Sequence, residues 1–324
     1  MKPKKWCLPC GLWLTISCAT CVQAQSFQFT AVQRLTNQEM ALTLSAPPGR
    51  AYRIESAANL SAWNGLFTFP TNTTASLAHT DSAAPFLDTR YYRALQLTEA
   101  RVVAGDHLLT TNGDAMIQPR NHATFVMLWD GKMIYNDPTP AASYTGLPKA
   151  DLVLVSHSHN DHFSTTTIDA VRRPDAVIVA PQTVYSLLTP AQKAIAVVLG
   201  YGQSTNVLGL TVEAVYAYNS YHAPLGFGNG YVVTLGARRI YISGDTSDAP
   251  EIRAITNIDV AFLCMNQPYT LTVPEATNLV CAIGPQVVYP YHYRDSSGST
   301  ATAAVFKQWL GTAPGIEVRL RKWY

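Results

Sequence analysis

The segment Ser156-His157-Ser158-His159-Asn160-Asp161-His162-Phe163 limits what this chain can fold into more than any other. Three of the chain's eight histidines and a carboxylate fall in it, directly after Asp151-Leu-Val-Leu-Val-Ser156, an apolar run of strand length that reads as a buried strand. On an extended or turning loop His157 and His159 project the same way, so one cation takes both imidazoles, while Asp161 and His162 turn on toward a neighbouring position. Ser164, ahead of Thr165-Thr-Thr, predicts a helix start just behind the loop. The chain has no histidine-rich low-complexity tract, so neither a solvated polar loop nor an adventitious metal tract accounts for the density. Two adjacent cation sites at the end of a buried strand are the natural outcome.

At 324 residues and 48% hydrophobic content the chain buries a large core and is no disordered polymer. Only 14% of residues are charged while 17 are Tyr, a balance that suits strand-rich exported proteins. Lys2, Lys4 and Lys5 precede an apolar run from Trp6 to Val22, and Val22-Gln-Ala24 fits a signal-peptidase site, so residues 1–24 read as a signal peptide and the mature chain as periplasmic or extracellular. The run is short and holds Pro9 and Gly11, which argues against an anchor, and no later segment reaches the roughly 18 apolar residues of a spanning helix. Without the leader, 20 basic residues face 21 acidic ones, so nothing draws the mature chain to nucleic acid. Four of the six cysteines lie in the leader; Cys264 and Cys281 read as buried small apolar residues, with a bridge between them as the alternative.

Residues 25–98 offer short alternating runs between turn-rich stretches, which predicts a small all-β sandwich. Its wording loosely resembles the fibronectin-like accessory domains of exported bacterial enzymes, which implies a module docking to carbohydrate or another protein. From residue 101 onward strand-length runs alternate with helical segments, an α/β pattern. Strands are expected at 124–129, 133–136, 231–235 and 239–243, a helix from Thr189-Pro190 to about Leu199, and capping boxes at Asp248-Ala-Pro-Glu251 and Thr272-Val-Pro-Glu275.

The His-x-His-x-Asp-His wording resembles the signature of the metallo-β-lactamase superfamily, over residues 101–324. The resemblance implies a four-layer αββα fold and extends the motif position by position. Asp137, in Met133-Ile-Tyr-Asn-Asp, matches the acidic residue that braces the motif loop, and it is placed with Asp161 among the catalytic residues. His222 matches the third histidine of the first metal, Asp245, in Ser243-Gly-Asp-Thr, the carboxylate bridging both, and His292 the last ligand of the second. The implied set is His157, His159 and His222 on one ion, Asp161, His162 and His292 on the other, with Asp245 between. Each distant residue alone would read as a structural histidine or a turn aspartate; the order in which they follow the motif joins them to it. Tyr289-Pro-Tyr-His-Tyr, Met265-Asn-Gln-Pro-Tyr and His122-Ala-Thr-Phe look like the branch of the L-ascorbate-6-phosphate lactonase and N-acylphosphatidylethanolamine phospholipase D-like enzymes. Asp245 stands where the best-known zinc β-lactamases carry cysteine, and His159 where flavodiiron oxidoreductases carry Glu, so neither activity is expected.

The implied activity is that of an exported binuclear hydrolase that attacks an ester, lactone or phosphodiester with hydroxide bridging two divalent ions, zinc first and manganese or iron next. Asp161 would orient the attacking water and Asp137 hold the loop from behind. Asn266, Tyr269, Tyr291, Tyr293 and Arg294 flank the motifs as candidate contacts for a small substrate, and Arg120 and Arg294 suit a phosphate, though each also reads as packing. His122 fits no ligand position and either contacts substrate or a ligand or is simply buried. The competing readings are a mono-iron, persulfide dioxygenase-like oxidoreductase on the same fold, and a non-catalytic adhesion protein working through residues 25–98.

Overall fold

The computed structural model describes residues 26–98, 103–223, 225–311 and 315–324; the leader expected at 1–24 lies outside the described residues, as does the expected boundary near 99–102. Two large sheets face each other. A ten-stranded sheet runs in spatial order from Ala196–Val198 through Arg172–Ala180, Ala150–Leu154, Lys132–Asn136, Thr124–Trp129, Gly113–Asn121 and Gly105–Thr110 to Asn64–Phe69, Ala51–Ala57 and Tyr91–Leu97. A seven-stranded sheet orders Ser204–Val207, Leu210–Ala217, Gly228–Leu235, Arg238–Ile242, Val260–Cys264, Val287–Tyr291 and Glu317–Val318.

Period-two alternation decides which side chains meet between the sheets. Phe125, Met127, Ile134 and Leu154 point inward against Tyr231, Val233, Ile240 and Phe262, whereas Val126, Tyr135, Val153 and Ile178 point outward onto Ile168 and Val171 of the helix Thr165–Val171. Phe125 stacks on Phe262 at 4.3 Å and Phe262 on Tyr289 at 4.7 Å, which ties the two sheets through three aromatic rings. On the far side the helix Val273–Ile283 contributes Ala276, Leu279, Val280 and Ile283 to the core, completing a four-layer αββα architecture. A strand covered on both faces is what an unbroken apolar run requires, and Leu152, Val153 and Leu154 are all fully buried.

The first six strands form two β layers. Gln28–Arg34, Met40–Ser45 and Ser76–Asp81 make a three-stranded sheet, and its Leu42, Leu44 and Leu77 pack on Tyr52, Ile54, Leu66 and Phe69 of the ten-stranded sheet. Phe67 pairs with Asp106 and Thr68 with Gly105, so the N-terminal strands continue the larger sheet directly. Among the described residues no helix is long and apolar enough to cross a membrane.

Three local expectations are corrected. The helix begun by the capping box of Thr189 and Gln192 stops at Lys193, because Ala196–Val198 joins the sheet edge in parallel with Arg172–Ala180. Asp248 caps nothing; Ala249 is the N-cap residue of the helix Pro250–Arg253, and the Asp248 carboxylate pairs with Arg253 instead. Cys264 is buried as expected, but Cys281 is exposed and both thiols are free. The second capping box, Thr272 with Glu275, forms with both reciprocal bonds.

His79, in the three-stranded sheet, is buried against the Phe67 ring at 4.5 Å. Burial, helped by the nearby Arg321, pushes its pKa from 6.5 to about 3. The unfolded chain therefore takes up this proton first, and stability fully present above about pH 6.5 is lost progressively as pH falls toward 3. Thermal melts at pH 7 and pH 4 should show a smaller acid-induced loss in His79→Leu than in the unaltered protein, by about 2–3 kcal/mol; equal losses would remove His79 as the acid-sensitive group.

Candidate metal centre

The strands that carry the site run parallel within each sheet: Lys132–Asn136 beside Ala150–Leu154, and Arg238–Ile242 beside Val260–Cys264 and Val287–Tyr291. Their C-terminal ends therefore open on one edge of the molecule. Asp137, the 156–163 loop, Asp245, Asn266 and His292 each follow one of those ends, and His222 lies on the turn between Leu210–Ala217 and Gly228–Leu235 at the same edge. Gly228 has to be glycine, since a Cβ there would meet His157 Cβ at 2.9 Å and the Ser156 carbonyl at 3.1 Å. The 228 strand thus closes directly over the loop.

The loop is set from behind by Asp137, which is fully buried. Its carboxylate accepts the Ser156 N–H at 2.7 Å, the Ser156 Oγ–H at 2.7 Å and the His162 Nδ1–H at 2.8 Å. Once its proton is committed to Asp137, the Ser156 hydroxyl can only accept from His157 Nδ1, 3.0 Å away. Both histidines therefore carry a proton on Nδ1 and turn Nε2 forward, which leaves Nε2 as the atom a cation would take. Phe163 N–H and His162 N–H both close on the His159 carbonyl, and Ser164 caps the helix behind through Thr167 N–H, as its sequence predicts.

In front of Asp137 the separate motifs meet. His157, His159 and His222 offer ligand atoms within 4.8 Å of one another, as do His157, His162 and Asp245, and Asp161, His162 and His292. His157 Nε2 is 3.1 Å from His159 Nδ1. Asp245 stands between the groups, with Oδ1 3.4 Å from His162 Nε2 and Oδ2 3.3 Å from His222 Nε2 and 3.5 Å from His292 Nε2. Asp161 Oδ2 is 3.4 Å from His292 Nε2. Asn219 Oδ1 accepts from the Nδ1 side of His222 at 2.8 Å, which turns Nε2 inward.

Two atoms test whether cations fit. His162 Nε2 and Asp245 Oδ1 are buried and, though 3.4 Å apart, have no hydrogen-bond partner among the described residues, a cost that a shared cation between them would remove. Burial alone would raise the Asp245 carboxyl, yet the His162 and His292 imidazoles hold it well below the usual carboxylate range. Conversely, burial opposes charge on His162 and His292, and the carboxylates of Asp245, with Asp137 beside the former and Asp161 beside the latter, raise both nonetheless. Protons on these imidazoles balance the acids where no cation is present, and an entering cation displaces them. The donors are nitrogen and oxygen with no thiolate, which fits zinc, iron or manganese.

The remaining candidates divide. Asn266 and Tyr269 line the cavity before the cluster, together with Tyr221. Tyr293 does not: it is buried and bonds through its hydroxyl to the Arg321 carbonyl. Arg294 lies over the Tyr324 ring at 3.9 Å, and Arg120 donates to the Ser143 carbonyl, so neither guanidinium faces the cavity. Tyr291 is fully buried. His122 sits behind His292, Nδ1 to Nδ1 at 3.1 Å, and burial together with His292 pushes its pKa down to about 4. It is thus a neutral acceptor for the His292 Nδ1–H. Asp137, placed among the catalytic residues on sequence, holds ligands and does not reach the cavity.

The profile of the Beta-lactamase superfamily domain matches residues 117–292, over half of the chain. A UPF0173 metal-dependent hydrolase of Thermus thermophilus is 33% identical over 52% of this chain and 79% of its own length. The chain belongs to the UPF0173 metal-dependent hydrolases of the beta-lactamase superfamily. A UPF0173 protein of Pyrococcus abyssi is 28% identical over 56% of this chain and 84% of its own. The crystal structure of a provisionally assigned metal-dependent hydrolase from Parabacteroides distasonis superimposes with a TM-score of 0.60, at 34% identity, over 68% of this chain and 99% of that one. UPF0173 membership makes this chain a metal-dependent hydrolase.

Proposed function

We propose that this hydrolase is exported and works with two divalent cations, zinc first, to cleave an ester, lactone or phosphodiester of a small molecule. One ion would be held by His157, His159 and His222, the other by Asp161, His162 and His292, with Asp245 shared. The observation that carries this is that His162 Nε2 and Asp245 Oδ1, buried 3.4 Å apart and without a hydrogen bond among the described residues, lie within three overlapping groups of nitrogen and oxygen donors. When bound, such ions lower the pKa of water from 15.7 to about 7 and polarise the carbonyl or phosphoryl oxygen.

The chain's own groups supply the rest. Asp161 borders the cavity with its side chain 41% exposed, and its carboxylate is held low by the His292 contact despite partial burial, so it accepts a hydrogen bond from the attacking water and orients it. Asn266, on the cavity wall with its amide nitrogen 3.5 Å from His292 Nδ1, has an amide oxygen with no partner among the described residues and positions a substrate donor or water. Export rests on Lys2, Lys4, Lys5 and the apolar run that follows them.

The test is dialysis of the purified full chain against a chelator, followed by assay on p-nitrophenyl acetate, δ-valerolactone and bis-p-nitrophenyl phosphate. Activity on at least one of them should disappear and return with zinc, manganese or iron. Activity that survives with the metal gone would overturn the proposal.

A further inference from the structure

Building on that hydrolytic reading, we infer that Tyr221 and Tyr269 form a ring-binding rim that selects an ester or lactone bearing an uncharged aromatic ring beyond the scissile bond. The cavity, about 320 Å³, suits a small ligand, and its wall outside the histidine and aspartate cluster is completed by Tyr221, Asn266 and Tyr269. The two phenol rings stand edge to face with centroids 5.1 Å apart, and they are 53% and 42% exposed. Exposed aromatic rings at a cavity mouth offer π faces to a ligand ring at little conformational cost.

Asn219 fixes the rim to the cluster. Its carbonyl oxygen accepts the backbone N–H groups of Tyr221 and His222 and faces His222 Nδ1, while its amide donates across to the Tyr269 carbonyl at 2.8 Å. One side chain thus sets His222 and both tyrosine-bearing segments in a single frame, so a ring seated on the tyrosines has a defined distance to the histidine and aspartate cluster.

Charge narrows the ligand further. Among the described residues the cavity wall carries no ammonium or guanidinium, since Arg120 and Arg294 are turned to Ser143 and Tyr324. Two divalent ions exceed the two carboxylates of Asp161 and Asp245, but that positive charge sits at the reacting bond, where it meets the oxygen gaining charge. A second anionic group farther out would rest against phenols with no counter-charge. A phosphorylated lactone is therefore a poor fit, and an aryl lactone a good one.

The test uses dihydrocoumarin, δ-valerolactone and 6-phosphogluconolactone as substrates, with chroman as a non-hydrolysable ring probe titrated by saturation-transfer NMR. Tyr221→Ala and Tyr269→Ala should each raise KM for dihydrocoumarin and weaken chroman binding about tenfold, a larger loss than either shows with δ-valerolactone, which has no aromatic ring. Tyr269→Phe, which keeps the ring, should behave as the unaltered protein. Unchanged chroman binding in both alanine variants, or a higher kcat/KM for 6-phosphogluconolactone than for dihydrocoumarin, would overturn the inference while leaving hydrolysis standing. If no substrate is cleaved but chroman binding still weakens in the variants, the ring site stands and the hydrolytic reading falls.

Discussion

Asp245→Ala is expected to cut turnover about a thousandfold or more and to leave the protein unable to retain its full metal complement, while it still unfolds cooperatively. The carboxylate lies within 3.5 Å of His162, His222 and His292 and is the contact shared by both halves of the cluster. Its loss removes the several kcal/mol a bound cation contributes to the transition state, at tenfold in rate per 1.36 kcal/mol. The fold should survive because the imidazoles that balance Asp245 shed their protons once it is gone, so no uncompensated charge remains buried. Activity and elemental analysis on the same preparation check this. A variant with full turnover, or with undiminished metal, would contradict the role given to Asp245.

Asp137→Ala should do a different kind of damage. Asp137 never reaches the cavity, yet it receives the Ser156 N–H, the Ser156 hydroxyl and His162 Nδ1, which also lies 3.1 Å from Ser156 Oγ, and through Ser156 it sets His157 as well. Losing the acceptor shared by these three donors in a fully buried place should cost about 3 kcal/mol in stability, with Ser156 Oγ left as the only nearby acceptor among them for His162 Nδ1–H. The two imidazoles lose their fixed tautomer, which should weaken metal binding about 10–100-fold. Asp137→Asn keeps one accepting oxygen and should lie between. Urea unfolding read alongside zinc affinity distinguishes the two substitutions: stability and affinity must fall together, and normal affinity in the alanine variant would show that the loop is held by something other than this carboxylate.

Much of the architecture was legible because it depends on local pattern. The buried run at 151–156, the cap at Ser164 and the box at Thr272 and Glu275 are each written within a few residues, and the structure forms all three. What failed locally did so for tertiary reasons. Ile195-Ala-Val-Val198 continues an acceptable helix pattern after Pro190, but β-branched residues beside an open sheet edge pair with Arg172–Ala180 instead. In the helix Val273–Ile283 the inward stripe runs through Ala276, Leu279, Val280 and Ile283, and Cys281 falls off it.

The candidate site divides the same way. The loop announces itself by histidine density, whereas His222, Asp245 and His292 gain meaning only from the company the fold gives them. Asn219 and Tyr221 carried no signal: an asparagine in a turn and one of 17 tyrosines do not mark themselves as a frame and a rim. The buried pairing of Asp106 with Arg321, and of Glu317 with Ser82 and Arg319, joins residues from opposite ends of the chain and has no local trace either.

The two facing sheets bring seven nitrogen- and oxygen-bearing side chains together, and the proposed function has them hold a pair of cations. Native mass spectrometry on the full chain after loading with zinc counts them directly. The account predicts two ions per chain, reduced in Asp245→Ala; a folded protein that takes up one ion or none under saturating metal would contradict it.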